Sequence, residues 1–206
     1  NAAVVFAATL LADATGIIGW LVVERVRDGH LTSFGAASGL VAGLVAITPS
    51  CGAVSPIGAL AMGAVAGAIC SWAVGLKYRF GYDDSLDVVG VHLVGGIVGT
   101  LGIGFLATDL APSGVSGLFY GGGVGQLGKQ AIGVAAVLVY AFVVSGLLGL
   151  ALERTLGFRI ERDHEVSGID VAVHAETAYE LHSMSAGRAS GHGILASLHT
   201  NREDPS

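Results

Sequence analysis

An imidazole inside an apolar run is the group in this sequence best suited to chemistry. His92 is the only ionisable residue in the segment 88–107. On an α-helix, four residues without bulky side chains would share its face: Val88, Gly95, Gly96 and Gly99. A neutral imidazole carries one donor and one acceptor, so it could bind a small polar molecule or pass a proton. The same spacing fits a core histidine bonded to a neighbouring carbonyl, and spacing alone weighs both interpretations equally.

Acidic residues stand directly before this segment. Asp83, Asp84 and Asp87 lie close ahead of Val88. An acidic residue three positions after an Asp or Ser resembles a capping box, and negative charge is favourable at the N-terminus of a helix. We therefore predict that Asp84 and Asp87 cap a helix. The same charges could also attract cations to its mouth, and the two roles can hold together.

The composition indicates a polytopic membrane protein. Of the 206 residues, 52% are hydrophobic and 13% are charged, and this charged share is about half that of a soluble domain. The mean hydropathy is +0.71, and the 33 glycines suit packed transmembrane helices.

The net charge is −6, and without a basic stripe we expect no nucleic-acid partner. We predict no cofactor and no metal site, because Cys51 and Cys70 fit small buried residues in apolar surroundings.

Five apolar segments are long enough to cross a bilayer as helices, which takes roughly 20 residues each. They span 2–23, 31–53, 57–76, 88–107 and 131–152. Since unpaired backbone groups are not tolerated in lipid, the predicted fold class is an all-α, polytopic integral membrane protein with its transmembrane region at 1–152. For 153–182 we predict a polar cytoplasmic region, and for 183–206 a disordered tail of low hydrophobicity.

Basic residues predict the orientation, because cytoplasmic loops carry an excess of Lys and Arg. The loops that follow the first four predicted helices hold 2, 0, 2 and 1 basic residues in turn, and three more lie within the ten residues that follow the fifth helix. The first helix is therefore expected to begin outside the cell, and the C-terminal region to lie in the cytoplasm.

Ionisable residues at membrane depth are costly and suggest function. The chain has two, His92 and Asp13. We expect Asp13 to pair with a backbone group or a hydroxyl on a neighbouring helix. A membrane enzyme would need a second polar group beside His92, and none is visible in the sequence, so no enzymatic activity is predicted.

Three stretches of the chain resemble ammonium transporters of the Amt family. Residues 35–52, GAASGLVAGLVAITPSCG, are similar to the eighth helix of that family. Residues 83–99, DDSLDVVGVHLVGGIVG, are similar to its tenth helix. Residues 168–179, GIDVAVHAETAY, resemble its cytoplasmic terminus. The resemblance covers about residues 1–182 and implies an eleven-helix protein that assembles as a homotrimer, of which this chain would supply helices seven to eleven and the tail.

The resemblance also implies roles for single residues. His92 matches the second of the family's paired pore histidines, and the first would lie on a helix outside this chain. The other matched positions are an apolar pore-lining residue, two hydroxyl residues near the cytoplasmic part of the path, and two acids at the start of the tenth helix: Val88, Ser38, Thr48, Asp84 and Asp87.

The function that the resemblance implies is transport of ammonium or ammonia across the cell membrane through a histidine-lined hydrophobic pore. This chain would be a partial transporter with its C-terminus in the cytoplasm. Membrane lipid and a PII-type nitrogen regulatory protein at the cytoplasmic face are the implied partners. The alternatives are an ammonium sensor, a Rhesus-type channel relative, or a truncated fragment that does not conduct.

Overall fold

The structure, a computed structural model, describes residues 1–176. The described residues form helices and connecting turns, with one isolated β-bridge between Val54 and Ala107. Residues Asn1–Val143 form one compact unit, and a second unit begins at Val144. The helices are α1 (Ala2–Asp28), α2 (Ser33–Ile47), α3 (Pro56–Ala73), α4 (Leu76–Phe80), a π-turn (Val88–Leu93) that continues into α5 (Val94–Leu106), a 3₁₀-helix (Leu118–Tyr120), α6 (Val124–Thr155), α7 (Arg162–Ser167) and a short π-helix (Asp170–His174).

Glycines let α1, α2 and α3 approach at backbone distance. A Cβ atom added to Gly16 on α1 would lie 2.9 Å from the Cα of Gly43 on α2. One added to Gly67 on α3 would lie 2.9 Å from the backbone nitrogen of Trp20 on α1. Small residues at such contacts increase the packing between helices in a membrane, where the hydrophobic effect does not drive them together. These three helices therefore meet by close backbone contact at their glycines.

The second helix is shorter than predicted. The sequence predicts a helix over 31–53, but α2 ends at Ile47 and turns follow it. Pro49 explains this end, because proline has no N–H to donate to the carbonyl four residues earlier, so the helical hydrogen bonds stop at the Thr48 amide. The amides of Ser50 and Cys51 both donate to the carbonyl of Ile47, which closes the chain into a turn.

Two other helices are longer than their apolar runs. The run predicted over 2–23 stops before Glu24, but α1 continues to Asp28. It ends at Gly29, which has φ 79° and donates its amide to the carbonyl of Arg25, as a C-terminal glycine cap does. Similarly, α6 begins at Val124, ahead of the apolar run predicted to begin at residue 131, because polar side chains such as Gln126 and Lys129 fit a helix that continues beyond its most hydrophobic part.

Four helices of the described chain are long and apolar enough to cross a membrane, and α2 with 15 residues is a shorter apolar helix. The four are Ala2–Asp28, Pro56–Phe80, Val88–Leu106 and Val124–Thr155. This supports a multi-pass membrane protein. The predicted count of five spans exceeds this number, because α2 loses the residues beyond Ile47 to turns.

The second unit holds the end of α6 and the short helices that follow it. The carboxylate of Glu153 accepts from the amide of Phe158 at 2.9 Å. Arg159 and Glu165 form an exposed ion pair at 3.1 Å. The region predicted as a disordered tail, 183–206, and the last residues of the predicted cytoplasmic region lie outside the described residues.

Candidate functional site

His92 stands on the π-turn that opens α5. Asp87, the residue before the turn, has a left-handed backbone with φ 56°, a conformation that Asp adopts more readily than most residues. The amide of Val91 donates to the carbonyl of Asp87 at 2.8 Å. A π-turn places one extra residue in a helical turn, and such turns are frequent at functional sites. It also changes which residues share the face of His92.

The glycines predicted to share one helix face with His92 have different surroundings in the structure. A Cβ added to Gly99 would lie 2.7 Å from the carbonyl carbon of Ala46, and one added to Gly95 would lie 3.1 Å from Val45 Cγ1. Both glycines are buried against α2. A Cβ on Gly96 would meet no atom within 4 Å. Of the three glycines, Gly96 therefore stays beside the exposed imidazole, while the other two serve helix packing.

His92 lines two cavities of the first unit. One has a volume of about 300 Å³ and lies between the π-turn and α2. Ser38 and Asp87 supply polar groups to it, and the residues that complete its lining are Phe34, Ala37, Val41, Ser85, Leu86 and Val91. The structure thus brings three of the predicted site residues, Ser38, Asp87 and His92, to one cavity from separate segments of the chain.

The other cavity has a volume of about 390 Å³ and lies between α5 and α6. Thr100 shares it with His92, and the rest of its lining is apolar or glycine: Leu93, Gly96, Ile97, Gly133, Val134, Val137 and Leu138. The imidazole is therefore placed between a partly polar cavity and a mainly apolar one. A group that both donates and accepts can pass a small polar molecule from one to the other.

Three predicted site residues line neither cavity: Val88, Thr48 and Asp84. Val88 is exposed. Thr48 follows the end of α2, is exposed, and donates its hydroxyl to the carbonyl of Leu44 at 2.7 Å. Thr48 is the C-cap residue of α2 and keeps helical backbone angles. It follows Ser38 by ten residues, about 15 Å along the helix axis, and this distance separates the two hydroxyls.

The two acids predicted as caps have different partners. The carboxylate of Asp84 accepts from the amide of Val88 at 2.7 Å and from that of Val89 at 3.0 Å. Both amides lie at the start of the π-turn, where helical donors have no partner of their own. The carboxylate of Asp87 instead forms an ion pair with Lys77 of α4 at 2.7 Å. The Lys77 ammonium also donates to the carbonyl of Asp84 at 3.0 Å.

Sequence reasoning missed two structural anchors at this end of the unit. Lys77 counts among the basic residues that predict the orientation, which assigns it no contact, and Glu24 lies beyond the first apolar run. Glu24 is 7% exposed, and its carboxylate accepts from the hydroxyl of Thr32 at 2.7 Å and from the amide of Thr32 at 3.2 Å. The only sequence signal for Glu24 is its position four residues after Trp20, on the same face of a helix.

Within residues 1–176, no group of three or more His, Cys, Asp or Glu side chains is placed to hold a metal ion.

Asp13, the second ionisable residue at membrane depth, is half-buried on α1, and its Cα lies where α1 contacts Gly43. No described residue forms a hydrogen bond or ion pair with its carboxylate, so the pairing partner predicted for Asp13 is not found among residues 1–176.

The fold and the site define a helical, multi-pass membrane protein with a histidine exposed beside small cavities. Comparison with known proteins gives its family. The chain belongs to the Ammonium Transporter Family, whose sequence profile matches residues 1–179. The family members are transporters and not enzymes.

Individual relatives agree with this assignment. A curated protein of Mycobacterium bovis named ammonium transporter is 56% identical in an alignment of 182 residues, and the match covers 85% of this chain and 38% of that protein. A curated ammonium transporter of Corynebacterium glutamicum is 44% identical over 188 residues, which are 91% of this chain and 42% of that protein. The chain therefore spans about two fifths of the length of these relatives.

Solved structures share the fold. The crystal structure of Candida albicans Mep2 matches with a TM-score of 0.70 and 34% identity, over 78% of this chain and 37% of that one. A structure described as a sensor Amt protein matches with a TM-score of 0.73 and 28% identity, over 83% of this chain and 42% of that one.

Proposed function

We propose that residues 1–152 form one wall of a path for ammonium or ammonia across the cell membrane, with His92 as its central polar group. The observation that carries this proposal is the position of His92 on the π-turn, where it lines both the cavity shared with Ser38 and the apolar cavity beside α6. Membership of the Ammonium Transporter Family supports the choice of substrate.

Electrostatics favours a path of this composition. Moving a bare ammonium ion into hydrocarbon-like surroundings costs on the order of tens of kcal/mol by Born arguments. Uncharged ammonia avoids most of that cost. An imidazole in a narrow apolar path can accept a proton from the ion or hydrogen-bond the neutral molecule, so His92 is suited to this step.

The other predicted residues have supporting roles in the proposal. Ser38 supplies a hydroxyl to the cavity that it shares with His92. Thr48 and Val88 belong to further parts of the path, outside the two cavities. Asp84 caps the π-turn, and Asp87 lines the Ser38 cavity while paired with Lys77. Cation attraction by these acids is a second role at the cytoplasmic mouth.

We further propose that the chain is the C-terminal part of an eleven-helix transporter and supplies helices seven to eleven. Its match to about two fifths of the length of its relatives supports this. His92 is exposed on the first unit, and a dry path needs a second wall over it. Assembly as a homotrimer, a cytoplasmic C-terminus and regulation by a PII-type protein are parts of the same proposal.

Sensing of ammonium is the second candidate function. The match to a structure described as a sensor Amt protein, over 83% of this chain, supports it. A sensor would bind ammonium at the same site without sustained flux. Measuring bound and transported ammonium in one preparation separates the two functions.

The test uses a chimera in which residues 1–179 replace the matching segment of the Mycobacterium bovis relative. Purified chimera in proteoliposomes is expected to take up ammonium in a saturable manner. The intact relative is the positive control, and vesicles without protein are the background. An assembled chimera that binds ammonium without uptake would favour sensing, and one that neither binds nor transports it would contradict the proposal.

A further inference from the structure

We infer that Lys77 is a positioning residue for His92. Its ammonium group bonds the segment before the π-turn to α4, and these bonds determine the direction in which the imidazole points. The expected effect on ammonium uptake rests on the proposed function. The expected effect on the orientation of His92 does not depend on it.

The contacts of Lys77 are specific and largely shielded from solvent. Its Nζ atom lies 2.7 Å from Asp87 Oδ1 and donates to the carbonyl of Asp84 at 3.0 Å. The side chains of Lys77 and Asp87 are 15% and 19% exposed. A fully exposed ion pair contributes little, but a partly buried charge that loses its partner is strongly destabilising.

These two bonds act on the residues that start the turn. Asp84 caps the amides of Val88 and Val89 with its carboxylate, while its carbonyl receives the Lys77 ammonium. Asp87 accepts the amide of Val91 with its carbonyl, while its carboxylate receives the same ammonium. One cation thus holds both acids in the positions from which they fix the backbone of the π-turn.

The opposite side of the turn is fixed by close packing on α3. A Cβ added to Gly90 would lie 2.6 Å from Val74 Cγ1 and 2.8 Å from Val74 Cα. The thiol of Cys70 lies 3.7 Å from the carbonyl of Val91. Gly90 and Val91 are buried and His92 is exposed, so the turn is anchored on α3 and presents the imidazole to the cavities.

The orientation of His92 depends on the turn remaining a π-turn. Successive residues of an α-helix differ by about 100° in direction, so a π-turn that relaxes to an α-turn by one residue rotates the side chains on it by about that angle. The imidazole would then leave the cavity shared with Ser38. Releasing the segment before the turn, by removing Lys77, allows this change.

The experiment compares Lys77→Met, Lys77→Arg and Lys129→Met in the chimera. Lys129 is the other lysine of the chain and is exposed on α6, so its variant is the matched control. The geometric readout is cross-linking between cysteines introduced as Ser38→Cys and His92→Cys with a short bifunctional thiol reagent. Mass spectrometry of the linked peptides distinguishes this product from reaction at Cys51 or Cys70.

We expect Lys77→Met to lower the cross-linking yield about tenfold, because it leaves a partly buried carboxylate unpaired. In the chimera that retains His92, we expect the same substitution to lower the maximal uptake rate about tenfold. Lys77→Arg retains the charge and the donors, and we expect it to recover most of both signals. Lys129→Met should change neither. Unchanged cross-linking in an assembled Lys77→Met protein would overturn the inference, whereas absence of uptake in the unaltered chimera would overturn only the proposed function.

A second variant covers the case in which Lys77→Met does not assemble. Asp87→Asn removes the charge from the other side of the pair and leaves the Lys77 bond to the Asp84 carbonyl in place. We expect a smaller decrease of cross-linking and uptake in the same direction. An assembled Asp87→Asn protein with full cross-linking would overturn the inference as well.

Discussion

Asp84 offers a quantitative test of helix capping against cation attraction. Its carboxylate accepts the amides of Val88 and Val89 at 2.7 and 3.0 Å, and the residue is 9% exposed. Each buried donor left without a partner costs about 1–3 kcal/mol. Asp84→Ala leaves two donors without this partner, but both bonds are only part-buried. Because water replaces part of the lost interaction, we expect local opening of the turn to become easier by about 2–4 kcal/mol rather than by the full cost of two buried donors.

Amide hydrogen exchange at Val88 and Val89 measures this opening directly. A decrease of about 2–4 kcal/mol corresponds to exchange about 30- to 900-fold faster. Asp84→Asn retains one oxygen acceptor, and we expect an increase of only about 5- to 30-fold for loss of about 1–2 kcal/mol. Asp83→Ala is the matched control, because Asp83 is exposed and, among residues 1–176, accepts only the hydroxyl of Ser85, at 3.1 Å.

Helix capping and cation attraction predict different results for Asp84→Asn. If capping dominates, Asp84→Asn should retain most of the uptake at low ammonium concentration, and Asp84→Ala should lose it. If cation attraction dominates, both variants and Asp83→Ala should lower uptake at low concentration without faster exchange. Unchanged exchange at both amides in Asp84→Ala would refute the capping argument.

Two further predictions concern helix packing and completeness of the path. Gly99→Ala should lower the unfolding temperature in detergent, because its Cβ would lie 2.7 Å from the carbonyl carbon of Ala46 and overpacking costs about 1–3 kcal/mol. Gly96→Ala is the control, because its Cβ would meet no atom within 4 Å. Equal unfolding temperatures of the two variants would contradict the assigned contact. Residues 1–206 reconstituted alone should show no saturable ammonium uptake, since they supply only one wall of the proposed path, and selective uptake by this chain alone would disprove the need for a second wall.

Much of the fold follows from the sequence because the bilayer restricts the choice. Long apolar runs must be helical in lipid, and four of the five predicted runs correspond to helices able to cross a membrane. Glycines four residues apart, such as Gly39 and Gly43, predict close helix contacts, and both are buried. The errors lie at the ends of helices, where Pro49 and Gly29 determine the end more strongly than hydropathy does.

The local geometry of the candidate site was harder to predict. The expected face of His92 assumed a helical period of 3.6 residues, and the π-turn at Val88–Leu93 changes that period. Its cause is in part tertiary, because Gly90 packs on Val74 and Lys77 binds Asp87 from ten residues earlier in the chain. Neither contact has a sequence spacing that a periodicity argument can detect. The prediction that Asp84 and Asp87 act near the start of this helix rested on local rules, which need only neighbouring residues.

The most direct test of the central claim is ammonium uptake by the chimera carrying His92→Ala. His30→Ala is the matched control, because His30 is exposed after α1 and its Nδ1 atom lies 2.9 Å from the carbonyl of Asp28, away from both cavities. If His92 is the central polar group of the path, His92→Ala should greatly lower or alter ammonium uptake while assembly and the unfolding temperature stay as in the parent, and His30→Ala should transport normally. Uptake with unchanged rate and selectivity in an assembled His92→Ala protein would contradict the account.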